Sequence, residues 1–326
     1  MATQIDTPAR PPLRLRDLAQ QDEKFVAGHR LCRGCPEGIL MRLTMMALGD
    51  QPAVVVNATS CLEVSTSVYP YTTWKISWYH NAFENSAATA SGVEAALRVL
   101  QRKGKISKEF AIIAIGGDGG TYDIGFQALS GMAERGHRVL YVCYDNEAYM
   151  NTGIQRSGAT PYGAWTSTSF AGPAQPGKRE GWRKDLVAIM AAHGIPYVAQ
   201  STMGHWRDYM QKVQKALAAD GPSFIAALSP CWRGWRFRSE DTIEIAKLAV
   251  ETNFWPLYEV DKGVWKLTGP QREPKPIEEF LKPQGRFAHF FRPGGEQLVE
   301  TWKTQVDLKY RQLQARVKAS ESMPIY

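Results

Sequence analysis

No stretch of this chain approaches the roughly 20 consecutive apolar residues that a membrane span requires. Residues 1–16 are polar and proline-rich and lack an apolar h-region, so no secretory signal is expected and the cytoplasm is the expected location. Cysteine is scarce, with 5 in 326 residues; in a cytoplasmic chain these few are expected as ligands or buried thiols rather than as disulfides. The Asn57-Ala58-Thr59 glycosylation sequon is then accidental. A long basic run interleaved with aromatics is also missing. The net charge of +7 is scattered, with small clusters at 103–108 and 178–184, which argues against a nucleic-acid footprint. Anionic cofactors and an acidic partner account for that charge better. Internal repeats and low-complexity tracts are absent as well. What is there, 44% apolar and 11% aromatic residues, suffices for one large α/β domain or two ordinary ones.

Apolar runs at 53–56, 110–115, 138–144, 195–202 and 223–229 have strand length and suit buried parallel strands. Helices are expected at 39–48, 87–101, 122–135 with Gly136 as the C′ residue, 206–219 and 240–253. This alternation predicts an α/β fold: an open, mainly parallel sheet with helices on both faces and ligands at the carboxyl ends of the strands. Residues 1–24 read as an extended arm, because Thr7-Pro8-Ala9-Arg10-Pro11-Pro12 does not fit a helix. The 159–184 segment, rich in Gly, Pro, Ser and Thr, is expected as a functional loop. The main domain is expected at 25–255 and a C-terminal extension at 256–326. In that extension Leu298, Trp302, Val306, Tyr310, Leu313 and Val317 recur at helical spacing, a face docked on the core or on a partner subunit.

Two glycine-rich stretches invite phosphate-binding readings that fail. In Gly117-Asp118-Gly119-Gly120, position 122 is Tyr where a dinucleotide fingerprint needs Gly. Gly172 through Gly177-Lys178 lacks the following hydroxyl, having Arg179 instead, and carries Pro173 and Pro176. What remains is Asp118 at the carboxyl end of a strand, flanked by glycines and followed by a helix. Helix N-terminal amides attract phosphate oxygens, whereas an aspartate there repels them unless a cation sits between. The next strand ends at Asp145-Asn146, 28 positions after Asp118, and adjacent parallel strands end side by side. Asp118, Asn146 and a backbone carbonyl, taken as that of Ala148, then offer Mg²⁺ the few hard oxygens it takes from protein. The alternative is a tight structural turn with an incidental carboxylate. The GDG…N spacing resembles the thiamine diphosphate motif.

Cys32-Arg33-Gly34-Cys35, Cys61 and Cys231 give four thiolates, a set that holds zinc or a [4Fe–4S] cluster. The third and fourth are single and remote, unlike the paired hairpins of structural zinc, which favours a cluster seated between loops. Cys143, mid-strand in Tyr141-Val142-Cys143-Tyr144, reads as a buried apolar thiol.

Taken together, these residues resemble the β subunits of the 2-oxoacid:ferredoxin oxidoreductases, the pyruvate enzymes in particular. The resemblance runs over about 25–280. It is carried by Gly28-His29, Asn57-Ala58-Thr59, Tyr69-Pro70-Tyr71-Thr72 and Phe83-Glu84-Asn85, by almost all of 117–164, by 192–199, by Pro230-Cys231 and by 248–252. It implies a thiamine diphosphate-binding fold carrying the diphosphate half of the cofactor site. Cys32, Cys35, Cys61 and Cys231 would hold the [4Fe–4S] cluster, and Asp118, Asn146 and Ala148 the Mg²⁺. Asn151 would reach the reacting centre. Gly117, Gly119, Gly120, Thr121, Asp123, Ile124, Thr59 and Ser60 would lie against the cofactor. It further implies oxidative decarboxylation of a 2-oxoacid, with electrons leaving singly through the cluster to ferredoxin and CoA collecting the acyl group. A glutamate that activates the cofactor would come from a partner α subunit, and ferredoxin-like γ and δ subunits would complete the complex. Basic residues of the 176–184 loop are candidates for CoA.

Pro36 and Ser60 stand where the family has glycine, beside two expected cluster ligands. Trp232-Arg233-Gly234-Trp235-Arg236, after Cys231, is bulkier and more basic than expected for a pyruvate enzyme. It reads either as packing or as a sign of another substrate such as phenylglyoxylate, indolepyruvate or oxalate. A non-redox thiamine diphosphate decarboxylase and a zinc-stabilised binding module are more distant readings.

Overall fold

The computed structural model describes residues 13–172 and 175–326. The apolar runs become strands in the order expected. β1 (Ala53–Ala58), β3 (Ala111–Gly117) and β4 (Leu140–Asp145) follow the sequence pattern, and β2 (Ser77–Asn81) is an additional edge strand. A small hairpin, β5 (Ala171–Gly172) and β6 (Gln175–Pro176), lies in the long loop after β4. Then come β7 (Tyr197–Thr202), β8 (Ser223–Leu228), β9 (Tyr258–Asp261) and β10 (Val264–Leu267). The main sheet has eight strands in the order β10-β9-β7-β8-β4-β3-β1-β2. From β7 to β2 all pairings are parallel, and β9 runs against both of its neighbours.

Alternation along the central strands sorts two cores. Ile112, Ala114, Tyr141 and Cys143 face one side of the sheet, and Ile113, Ile115, Val142 and Tyr144 face the other. The short turn α1 (Leu15–Leu18) and the helix α2 (Pro36–Leu48) precede β1, and α3 (Cys61–Thr66) follows it. Next come α4 (Ser86–Arg102), α5 (Phe126–Glu134), α6 (Leu186–Ala191) and α7 (Trp206–Ala218). Helices α4, α5 and α6 cover the first face; α2, α3 and α7 cover the second. Strands buried on both sides need continuous apolar sequence, which is why runs rather than alternation marked them. Gly136 (φ +69°) ends α5 as expected.

The chain finishes with α8 (Trp232–Trp235), α9 (Thr242–Glu251), α10 (Ile277–Leu281) and α11 (Glu296–Ser320). The segment after residue 255 supplies β9 and β10 to the main sheet and joins the first core through Phe280, Phe287 and Trp302. The α11 stripe docks inward. Trp302 is fully buried against Phe254, Phe287 and Trp182, with ring centroids 4.8–5.2 Å apart. Of the expected N-terminal arm, residues 1–12 lie outside the described residues; within the rest, α1 forms one helical turn.

Parallel strands bring their carboxyl ends to one edge of the sheet. That edge receives the loop after β1 (Thr59–Cys61), the turn after β3 (Asp118–Gly120), the loop after β4 (Asn146–Ala148) and, after β8, Cys231.

Candidate active site

Gly117 pairs with Tyr144 in the β3–β4 register, so Asp118 emerges beside Asp145 and Asn146. The chain then enters a π-helical turn, Gly119–Ile124, closed by Gly125 N donating to Gly120 O at 2.7 Å. Wide turns of this kind concentrate at functional sites. Gly119 is required by close approach, because a Cβ there would collide with the Tyr149 ring. A narrow pocket runs from Gly117, Gly119 and Gly120 past Thr59 and Ser60 to Asn146, Ala148 and Asn151. Of the other residues expected at the cofactor, Thr121 turns its hydroxyl inward, donating to Gly117 O at 2.7 Å. Asp123 accepts from Gly158 N and Lys184 Nζ, and Ile124 is exposed.

Beneath the pocket lies a buried charge array that the sequence did not announce. Asp145, Glu147 and Asp118 are all inaccessible. Arg183 pairs with both Asp145 and Glu147, and Arg286 Nη2 lies 2.6 Å from Glu147 Oε2. Among the described residues no ion pair reaches Asp118, whose partners are the Ser157 hydroxyl and Asn146 N. Burial, then Asp145 and Glu147, hold its carboxyl well above the usual carboxylate range. Three carboxylates therefore face two guanidiniums, and the odd one sits at the glycine turn. Beside it, Asn146 Nδ2 donates to Glu37 Oε1 at 3.2 Å, and among the described residues the buried Asn146 Oδ1 has no partner. A buried carboxylate without a cation and an orphaned amide oxygen are the donor set that Mg²⁺ takes from protein.

Glu147, between Asn146 and Ala148, has φ +66°, a left-handed conformation that costs on the order of 1–3 kcal/mol in a residue other than glycine. The two arginines on its carboxylate and the Thr160 hydroxyl on its carbonyl (2.6 Å) hold it there.

The thiols approach from the other side. Cys35 is the N-cap residue of α2, Cys61 opens α3, and Cys231 is the N-cap residue of α8. Burial comes first in raising the Cys35, Cys61 and Cys231 thiols, Cys231 to about 11, and each thiol also feels the Glu37 carboxylate and at least one of the other cysteines. Glu37, itself buried, is pushed up to about 8 by desolvation. Asn151 and Cys61 line the same pocket, which joins the two halves of the site. Among the described residues no three His, Cys, Asp or Glu side chains are grouped closely enough for one metal ion. Cys143 is buried in mid-strand, as expected of an apolar thiol.

A scan of family models matches the thiamine pyrophosphate enzyme C-terminal TPP-binding domain over residues 58–227. Pyruvate synthase subunit PorB of Thermotoga maritima is 51% identical over 324 residues, covering 96% of this chain and 99% of that protein. The chain belongs to the β-subunit family of the 2-oxoacid:ferredoxin oxidoreductases. Its Methanocaldococcus jannaschii relative, also a pyruvate synthase subunit PorB, is 54% identical over 271 residues, 82% of this chain and 90% of that one. Among solved structures, a 2-oxoglutarate:ferredoxin oxidoreductase from Magnetococcus marinus shares the fold, with a TM-score of 0.53 and 21% identity over 69% of this chain and 79% of that one. As a family member the chain carries a thiamine diphosphate-binding domain.

The family's departures in this chain have local explanations. Pro36 is the first residue of α2, where its missing N–H is no loss and its fixed φ suits the helix. The Ser60 hydroxyl donates to Ala58 O at 2.8 Å. Trp235 is fully buried with Arg286 stacked 3.7 Å from its ring centre, and Arg236 stacks 3.6 Å from that of Trp165. Within the aromatic and basic run after Cys231, Trp235 and Arg236 are thus engaged in packing.

The basic loop is engaged as well. Arg183 and Lys184 hold Asp145, Glu147 and Asp123, which leaves Arg179 exposed. Lys178 is buried, donating to Thr160 O at 2.7 Å and Trp182 O at 3.2 Å. Burial, then Arg156 and Arg183, lower it to about 8. An unfolded lysine keeps its proton to about pH 10.4. Between about 8 and about 10.4 the unfolded lysine therefore holds its proton more than the folded one, and the contribution of Lys178 to stability rises with pH. In thermal unfolding across that window, the stability of the wild type relative to Lys178→Met is expected to rise with pH; a constant difference would refute it.

Proposed function

We propose that this chain is the cytoplasmic β subunit of a CoA-dependent pyruvate:ferredoxin oxidoreductase. The observation that carries the reading is the Asp118 carboxyl, without an ion-pair partner among the described residues, beside the orphaned Asn146 Oδ1 and beneath a pocket lined by Asn146, Asn151 and Cys61. Asp118, Asn146 and the Ala148 carbonyl would hold Mg²⁺, with the cofactor's diphosphate over Gly117–Gly120 and beside Thr59 and Ser60. Thr121 and Asp123 brace that turn from behind, and Ile124 borders it. Cys32, Cys35, Cys61 and Cys231 would hold a [4Fe–4S] cluster, whose four irons need a wider cage than a single zinc ion. Bound thiamine diphosphate supplies the electron sink for decarboxylation of the 2-oxoacid. The chain's own residues orient it, neutralise its diphosphate through the cation, exclude water from it and place a thiolate-lined electron exit next to it. Asn151, which lines the same pocket as Cys61, would hydrogen-bond the substrate. The partners are an α subunit that supplies the activating glutamate, ferredoxin-like γ and δ subunits, ferredoxin as carrier, and CoA.

Packing of Trp235 and Arg236 removes the main argument for a bulkier substrate and supports pyruvate. The test uses the anaerobically purified native complex with CoA present. Pyruvate, 2-oxoglutarate, phenylglyoxylate, indolepyruvate and oxalate are added in turn while the cluster's visible absorbance is followed. Bleaching by pyruvate is expected. Bleaching by a different acid alone would overturn the substrate, and the absence of any cluster absorbance would overturn the redox reading.

A further inference from the structure

Asn146, expected to ligate the cation through Oδ1, is gripped at its Nδ2 and its carbonyl by residues that adjoin expected cluster ligands. Its Nδ2 donates to Glu37, two residues after Cys35 in the first turn of α2. Its carbonyl accepts from Trp235 Nε1 at 2.8 Å, and Trp235 lies four residues after Cys231 at the end of α8. Trp235 N in turn donates to Cys231 O at 2.8 Å. Helix α8 also presses on the cofactor loop: a Cβ at Gly234 would collide with the Met150 thioether, one residue before Asn151. The loop at 32–35 is also tied to the element after α8, with Thr242 Oγ1 at the start of α9 donating to Gly34 O at 3.0 Å. Glu37 and Trp235 are almost completely buried. A shift of either cysteine segment is therefore transmitted to Asn146 with little slack, since packed interiors do not deform continuously.

We propose that Glu37 and Trp235 are positioning residues that couple the two cofactor sites through Asn146, so that a seated cluster preorganises the cation–diphosphate site and the bound cation–diphosphate in turn tightens the cluster cage. The proposal rests on the assignment of Asp118, Asn146 and Ala148 to Mg²⁺ and of the four cysteines to the cluster. Coupling between sites is reciprocal. Glu37 acts on the amide's orientation: with Nδ2 held, Oδ1 has one direction left. Outer contacts of this type typically change metal affinity about 10–100-fold.

The test measures the Mg²⁺-dependent dissociation constant of thiamine diphosphate on the native complex, with its cluster and after anaerobic removal of iron by a chelator. The wild type, Glu37→Ala, Glu37→Gln and Trp235→Phe are compared. Expected are a wild-type affinity about 10-fold or more weaker without the cluster and a smaller ratio in Glu37→Ala and Trp235→Phe. Glu37→Gln should restore most of the ratio, because its amide oxygen still accepts from Nδ2. In the reverse direction, Mg²⁺ with thiamine diphosphate should alter the electron paramagnetic resonance signal of the reduced wild-type cluster, and less so in Glu37→Ala. A purely structural role for Glu37 would lower affinity equally with and without the cluster, and that result overturns the proposal. Equal wild-type affinities in the two states overturn it alone, whereas a wild type that binds no cluster or no cofactor overturns the underlying assignment along with it.

Discussion

Asp118→Asn is expected to weaken Mg²⁺-dependent thiamine diphosphate binding by more than about 100-fold, since loss of an outer contact alone costs about 10–100-fold. At 100 times its dissociation constant the cofactor stabilises the wild type by about 2.7 kcal/mol; a 100-fold weaker variant under the same conditions retains about 0.4 kcal/mol. Without cation the sign reverses. The Asp118 carboxyl is buried, faces Asp145 and Glu147, and is held well above its ordinary range. The folded chain therefore favours its protonated form, and its contribution to stability is full below the unfolded pKa of about 3.9 and lost as pH rises towards the folded value. Asparagine escapes that loss. In thermal unfolding near neutral pH, the cation-free variant should melt no lower than the cation-free wild type, while the cofactor-loaded variant should melt lower than the loaded wild type. A variant that melts lower in both states, with the cofactor-induced shift intact, would remove Asp118 from the cation site.

How far this arrangement was legible depends on how local its signals are. Strands β3 and β4 announce themselves because a strand buried on both faces must be apolar throughout, and Asp118 and Asn146 follow from the ends of adjacent strands. The cysteines draw attention in the sequence because no apolar core needs a C-x-x-C. By contrast, β2 shows no run, since it is an edge strand whose side chains remain largely accessible. The β9–β10 pair was hidden in a stretch that reads as an irregular extension. Least legible are the groups that complete the site from afar. Arg286 reaches Glu147 from 139 positions away in sequence, and nothing in Gly285-Arg286-Phe287 distinguishes it from a surface arginine. Glu37 reads as a carboxylate complementing the dipole of a helix start. Only its burial beside Asn146 shows that it faces inward. Ser157 and Lys178 sit in a loop whose composition suggests exposure, yet both are buried by polar contacts that close the loop over the turn after β3. Trp235, in a run that reads either as packing or as a substrate signal, is buried and donates to Asn146 O.

Cys61→Ala is expected to abolish electron transfer while sparing decarboxylation. Cys61 stands where β1 delivers the chain into α3, and it lines the cofactor pocket together with Asn151. Its protonated state in the metal-free chain follows from burial, then from Glu37 and the neighbouring cysteines Cys231 and Cys35. Assembly of a cluster must therefore expel protons from buried thiols, and the iron charge has to offset both burial and Glu37. A site missing one of four thiolates loses that compensation on one corner. The native complex carrying the variant should show diminished iron content and visible absorbance, and viologen reduction with pyruvate and CoA should fall to background. Release of CO₂ from labelled pyruvate should persist at saturating cofactor, because Asp118, Asn146 and Ala148 are untouched. The concentration of thiamine diphosphate needed for saturation should rise by about 10-fold or more if Asn146 couples the two sites. Wild-type viologen reduction in this variant would remove Cys61 from the electron path. Stoichiometric zinc in the wild type, without iron, would remove the cluster altogether.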